Sequence, residues 1–230
     1  MAHPAIILVS PQMGENIGAC ARAMKNFGCS DLRLVAPRDG WPNEKAQSVA
    51  VGAVDILHAA TIYDRLSDAI SDLEYLYATT AQSRDMNKNY VALKSLNASY
   101  RGDMRVGIMF GRESSGLNNN EIALANEIIT IDTTEFSSLN IAQAVSLVCY
   151  ELFKTQARCD LKNTQELCSK RELQYFFDHL FAELDNTKFF VTPERAVYMK
   201  QSIINMFNRI DKLSHNEVQT LRGIIAALSR

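Results

Sequence analysis

No stretch of the sequence approaches the roughly eighteen consecutive apolar residues of a membrane-spanning helix. Met1-Ala2-His3-Pro4 carries no basic cluster, and the apolar run Ala5 to Val9 is too short for a secretory signal core. A cytoplasmic protein without a membrane partner is therefore expected. The five cysteines form no C-x-x-C pair, and an odd count without a signal argues against a disulfide framework. Four histidines (His3, His58, His179, His215) stand far apart, so no metal site is expected. No G-x-G-x-x-G follows the first apolar run, which excludes a dinucleotide fingerprint. Gly111 to Gly116 has P-loop spacing but lacks the Lys-Ser/Thr that would hold phosphate, and it does not fit the G-x-S-x-G elbow of a serine hydrolase. Nor is there a surplus of charge, for the net formal value is −2.

What remains is an ordinary globular composition, 47% hydrophobic and 22% charged over 230 residues, enough for one full domain and a small second one. Ala5 to Ser10 is a continuous apolar run of strand length, expected to be central and parallel. Asn16 is placed to cap the helix that follows, where Ile17, Cys20, Met24 and Phe27 share one face and Gly28 ends the helix. Arg22 lies about 140° round from Ile17 and should point away from that face. Asp31 to Ala36 reads as a second strand, Glu44 to Ala53 as a helix, and Ile56 to Tyr63 as a weak strand. Asp64 to Asp72 reads as an amphipathic helix and Tyr75 to Thr79 as a strand. Strand and helix in alternation predict an α/β fold with a mainly parallel sheet. Gln82 to Arg105 holds five cations to two acids with tyrosines and asparagines between them, a pattern fitting either an RNA-contacting loop or a solvated connector.

The most informative stretch is Gly107 to Asn140. The strand Val106 to Phe110 ends in Gly111-Arg112-Glu113-Ser114-Ser115-Gly116. A second strand, Ile128 to Ile131, ends in a polar loop, and Ser138-Leu139-Asn140 opens a long apolar helix expected to reach about Arg158. Two such exits predict a crevice at the carboxyl ends of a parallel sheet, where open α/β folds bind ligands. Beyond a polar linker the pattern is purely helical. Ser169 to Glu172 and Ser214 to Glu217 are capping boxes, and Thr192-Pro193 places a cap before a proline.

Three segments carry a family resemblance. Asn16 to Ala23 matches N-x-G-x-x-x-R-A, Gly111 to Leu117 matches G-x-E-x-x-G-L, and Ser138 to Val145 matches S-L-N-x-x-x-A-V with Ser137 before it. Together and in this order they resemble the SpoU/TrmH family of SPOUT RNA 2′-O-methyltransferases over roughly residues 5 to 155. Ala78 to Arg84 (ATTAQSR) and Leu221-Arg222-Gly223-Ile224 are similar to the TrmJ branch of that family.

The resemblance implies a SPOUT-type parallel sheet with a C-terminal deep trefoil knot, a homodimer, and S-adenosylmethionine as methyl donor. It implies that Thr79, Thr80, Ala81, Gly111, Ile131, Ser137, Ser138 and Leu139 bind that cofactor. Arg22, Asn16, Glu113, Ser138 and Asn140 are the implied catalytic set. The implied substrate is tRNA, methylated on the ribose of an anticodon-loop pyrimidine at position 32. A ribosomal RNA substrate, a non-catalytic RNA-binding SPOUT protein and a flavodoxin-like nucleotide binder are the alternatives. The expected organisation is a methyltransferase domain over residues 1–157, a linker over 158–168 and a helical domain over 169–230, where near-balanced charges leave open RNA grip or dimer support.

Overall fold

The computed structural model describes residues 3–81, 87–135, 138–154, 167–210 and 213–228. Runs of apolar residues without polar alternation suit strands buried on both faces, and such strands pair in parallel. Five buried strands and two partly exposed edge strands, β3 and β5, pair in parallel among these residues: β1 (Ala5–Val9), β2 (Leu32–Val35), β3 (Thr61–Tyr63), β4 (Tyr75–Thr79), β5 (Asn89–Ala92), β6 (Val106–Phe110) and β7 (Glu127–Thr130). They form one sheet in the order β3-β2-β1-β6-β4-β7-β5, with every pair parallel. Along β1, Ile6 and Leu8 face one layer of helices while Ala5, Ile7 and Val9 face the other, as the two-residue strand period requires.

The first layer consists of α1 (Gly14–Asn26), α2 (Glu44–Ala50), α3 (Val54–Ala59) and, further along the chain, the long helix of the third motif. The second layer is thinner, with the short α4 (Leu66–Ala69). The remaining helices follow as α5 (Leu96–Ser99), α6 (Asn119–Ala123), in the second layer, and α7 (Ile141–Phe153), which is the third-motif helix. Gly18 explains itself in the first layer. A Cβ there would lie 2.2 Å from the Ala46 carbonyl oxygen, so α1 and α2 approach closely only because the side chain is absent. Arg33, the one charge in β2, reaches sideways to Asp72, Asp31 and the Ala69 carbonyl, tying the sheet to α4.

Three further helices, α8 (Lys170–Asn186), α9 (Pro193–Phe207) and α10 (His215–Leu228), pack around Phe176, Phe177, Phe207 and Val218. Their starts follow the caps expected from the sequence. Ser169 and Glu172 bond reciprocally, as do Ser214 and Glu217, and Thr192 accepts from the Arg195 N–H. The Lys170 N–H donates to the Leu73 carbonyl at 2.6 Å and the Arg171 N–H to the Ser71 carbonyl at 3.0 Å, so α8 begins against the loop before β4.

Several local expectations give way to tertiary context. Residues Val54 to Ala59 form α3 rather than strand, and only Thr61–Tyr63 pairs, at the sheet edge. The amphipathic stretch after it shrinks to α4 because its ends are drawn into turns. The third-motif helix starts at Ile141, with Asn140 as its cap, three residues later than the sequence suggests. The basic connector contributes the edge strand β5, and its Lys88 is buried rather than solvated. Most of the expected linker, and Ser137, lie outside the described residues.

Two buried lysines meet near the C-terminal end of α6, with no carboxylate among their hydrogen-bond partners in the described residues. Lys88 donates to the Ala123 and Ala125 carbonyls, and Lys170 to Asn126, Asn208 and the Leu124 carbonyl. Burial pushes Lys170 down to about 7, while burial and then the positive Lys170 and Arg209 push Lys88 down to about 7. In the unfolded chain both hold their protons to roughly pH 10, so above neutrality the unfolded state binds more protons and stability rises with pH. The Cys20 and Cys168 thiols, which burial holds protonated, oppose this above roughly pH 8.5. Urea midpoints should therefore rise between pH 7 and pH 8, and rise less in Lys170→Met. Gly18→Ala should lower stability by about 1–3 kcal/mol, read from the same titration with the slope unchanged.

Candidate active site

The carboxyl ends of β1, β6, β4 and β7 lie side by side in the sheet, so the loops leaving them converge on one edge. There the segments that follow β6, β4 and β7 enclose a cleft of about 360 Å³. Thr79, Thr80 and Ala81 enter from β4, Gly111 from β6, Ile131 from β7, and Ser138 and Leu139 from the segment before α7. Each of these was expected from the sequence, and the structure brings them together. Phe110, Ile131, Leu139, Ile141 and Ala144 give the cleft an apolar side, while hydroxyls and main chain make the rest. Arg112, Ser114, Ser115, Gly116 and Thr133 also line it, although sequence reasoning assigned them no role.

The wall from β6 is a tight loop. The Gly116 N–H donates to the Arg112 carbonyl at 2.8 Å, and Gly116 itself has φ of +66°. A Cβ on Gly111 would sit 2.1 Å from the Gly116 carbonyl carbon and 2.2 Å from the Leu117 nitrogen. The close approach that demands glycine at 111 is thus made by the loop crossing itself. Arg112 extends from this loop and pairs with both oxygens of Glu121 at 3.1 and 2.9 Å, and donates to the Ser10 hydroxyl at 3.3 Å. That pairing raises the Arg112 guanidinium above its usual range. Glu121 was legible as the last member of an Asn118-x-x-Glu121 capping box, which the structure contains.

Beside the cleft runs a polar chain joining all three motifs. Glu113 accepts from the Gln12 N–H at 2.8 Å, the Met13 N–H at 3.2 Å and the Asn16 side-chain amide at 2.9 Å. Asn140 donates from its amide to the Asn16 oxygen at 2.9 Å. The Asn140 oxygen accepts from the Ala142 N–H at 2.8 Å, capping α7. Asn16 is therefore not the cap of α1. That position belongs to Met13, whose N–H Glu113 takes up from outside the helix.

By valence, one N–H of each amide remains free of this chain, so Asn16 and Asn140 can still donate to a ligand oxygen. Glu113 is the one carboxylate among the described cleft residues, and both of its oxygens are already engaged. It serves better as an organiser than as a base. Arg22 is different: it lies exposed on α1 and does not line the cleft of its own chain. Glu113→Ala strips three donors of their acceptor and should cost about 1–3 kcal/mol in chemical denaturation, the penalty of leaving donors unpaired.

Comparison with known proteins identifies the family. Residues 3–150 match the model of the SpoU rRNA Methylase family, and residues 171–230 match that of the tRNA methyltransferase TrmJ C-terminal domain. The crystal structure of TrmJ from Z. mobilis ZM4 superposes with a TM-score of 0.92 at 40% identity, covering 100% of both chains. The tRNA (cytidine/uridine/adenosine-2′-O-)-methyltransferase TrmJ of Pseudomonas aeruginosa is 32% identical, covering 96% of this chain and 91% of its own. A relative from Escherichia coli described as an uncharacterized tRNA/rRNA methyltransferase, LasT, is 38% identical over 64% of this chain and 66% of its own. This chain is a member of the SpoU methylase family, of the TrmJ type.

Proposed function

We propose that the protein is a tRNA 2′-O-methyltransferase that uses S-adenosylmethionine and modifies an anticodon-loop pyrimidine at position 32. The observation that carries this reading is the meeting of all three family motifs at one cleft through the Glu113–Asn16–Asn140 chain. The cleft suits the cofactor. Its volume lies in the range of small-molecule sites, its apolar side can take an adenine ring, and its hydroxyls and main chain can hold polar ends. Thr79, Thr80, Ala81, Gly111, Ile131, Ser138 and Leu139 are the residues proposed to hold it, with Ser137 assigned from the motif alone. When bound, the cofactor supplies an electrophilic methyl group.

A ribose 2′-hydroxyl is a weak nucleophile, so the protein must orient it and favour loss of its proton. The free N–H groups of Asn16 and Asn140 and the Ser138 hydroxyl are donors suited to fixing that oxygen. A guanidinium offers donors and no acceptor, so Arg22 is suited to stabilising the developing alkoxide and clamping the neighbouring phosphate rather than to accepting the proton.

Because Arg22 is exposed and off its own cleft, it serves the cleft of a second copy. Support for a homodimer comes from the surface beside it. Leu147, Tyr150 and Phe153 of α7 are exposed, and Phe27, on the residue that ends α1, packs its ring against Tyr150 and Phe153 at 5.6 and 6.2 Å. Large apolar side chains gathered on one face mark an interaction surface. The deep trefoil knot, and a boundary between a methyltransferase domain and a helical domain within residues 158–168, belong to the same reading. The separate apolar core of α8 to α10 supports the latter.

The test is transfer of labelled methyl from S-adenosylmethionine to tRNA lacking the modification, followed by nucleoside mapping. A 2′-O-methylated pyrimidine at position 32 is the expected product, and labelling of ribosomal RNA alone would refute the substrate. Arg22→Ala should abolish transfer while leaving cofactor affinity within about twofold, as expected for a group that acts in the transition state alone.

A further inference from the structure

We propose that Lys170 and Asn208, which belong to the C-terminal helical region, are positioning residues for the cofactor cleft. They act through α6 on the Arg112–Glu121 clamp. The inference rests on the cleft being the methyl-donor site.

Helix α6 is five residues long and is held at both ends. At its start Glu121 closes the capping box with Asn118 and grips the guanidinium of Arg112, a residue of the cleft wall. At its finish the Ala123 and Leu124 carbonyls point out of the helix, where no intrahelical N–H can meet them. Asn208 donates its amide N–H to the Ala123 carbonyl at 3.0 Å, and Lys170 reaches the Leu124 carbonyl at 3.4 Å. Lys170 also donates to the Asn208 side-chain oxygen at 2.9 Å, so the start of α8 and the residue after α9 share one grip.

The same ammonium donates to the Asn126 side-chain oxygen, which also accepts from the Leu76 N–H of β4 at 2.9 Å. The strand that leads to Thr79 is thus held from the same point. About one and a half helical turns separate the two ends of α6, too few to absorb a shift at one end before it reaches the other. A lysine amine buried with no carboxylate among its described partners is a costly means of attachment, which an apolar contact could provide at lower cost. What the polar grip adds is direction: several oxygens at set angles fix where α6 ends, and hence where Glu121 holds Arg112.

The experiment is calorimetric titration of the full chain with S-adenosylhomocysteine, with no RNA present, so that loss of an RNA contact cannot enter. Each variant is titrated at a temperature where its circular dichroism is that of folded protein. Lys170→Met, Asn208→Ala and Glu121→Gln should each weaken binding by about fivefold, within the range of such indirect couplings. The pair Asn208→Ala with Glu121→Gln should weaken it by about the same factor, because both break one path. Multiplied losses in the double variant would overturn the shared path, as would unchanged affinity in Asn208→Ala. Asn208→Ala leaves the lysine in place and keeps the test valid if Lys170→Met fails to fold. Absence of binding by the unaltered chain would instead overturn the reading of the cleft itself.

Discussion

One carboxylate holds the proposed site together. Glu113 leaves the end of β6 and takes the N–H groups of Gln12 and Met13, where the chain leaves β1 and turns into α1. The first N–H groups of a helix have no partner within it, and Glu113 fills that need for the N-cap from a residue a hundred positions away. Through Asn16 the same carboxylate reaches Asn140, which starts α7. Three separate segments are thereby set relative to one another by hydrogen bonds between groups far apart in sequence. Directional bonds of this kind fix position in a way that apolar packing does not.

The sheet provides what the bonds then refine. Because β1, β6, β4 and β7 are adjacent and parallel, four loops leave one edge, and the cleft forms between those of β6, β4 and β7. Insertion of β6 between β1 and β4 brings the Gly111 loop beside the Thr79 exit. Glycine at 111 then lets the chain fold back over itself without displacing the wall. The helices of the C-terminal region meet this arrangement from the far side, at the loop before β4 and at the end of α6.

Much of this was legible in the sequence where a local pattern and the tertiary environment agree. The apolar runs at 5–9, 75–79 and 106–110 became strands because nothing in them favours any other structure. Capping boxes at Ser169 and Ser214 marked helix starts because the cap is a contact between neighbours. Asn16 misled for the opposite reason. Its type and position suit a cap, but Glu113 and Asn140 compete for its side chain, and neither is near it in sequence. Lys88 in a charged stretch reads as solvated, and only the carbonyls at the end of α6 show why it is buried. The seven described positions proposed to hold the cofactor were named from the family resemblance; periodicity alone located the crevice but not its lining. Arg112 and Glu121 passed unassigned since their partnership exists only once the loop closes.

We propose that Asn16, fixed from both sides, acts on the reacting oxygen and not on the cofactor. The direct test is single-turnover methyl transfer to unmodified tRNA by Asn16→Ala at saturating S-adenosylmethionine, with cofactor affinity measured alongside. The expected result is a fall in rate of about a hundredfold with affinity essentially unchanged, the signature of an interaction made in the transition state. A rate equal to that of the unaltered protein would contradict it.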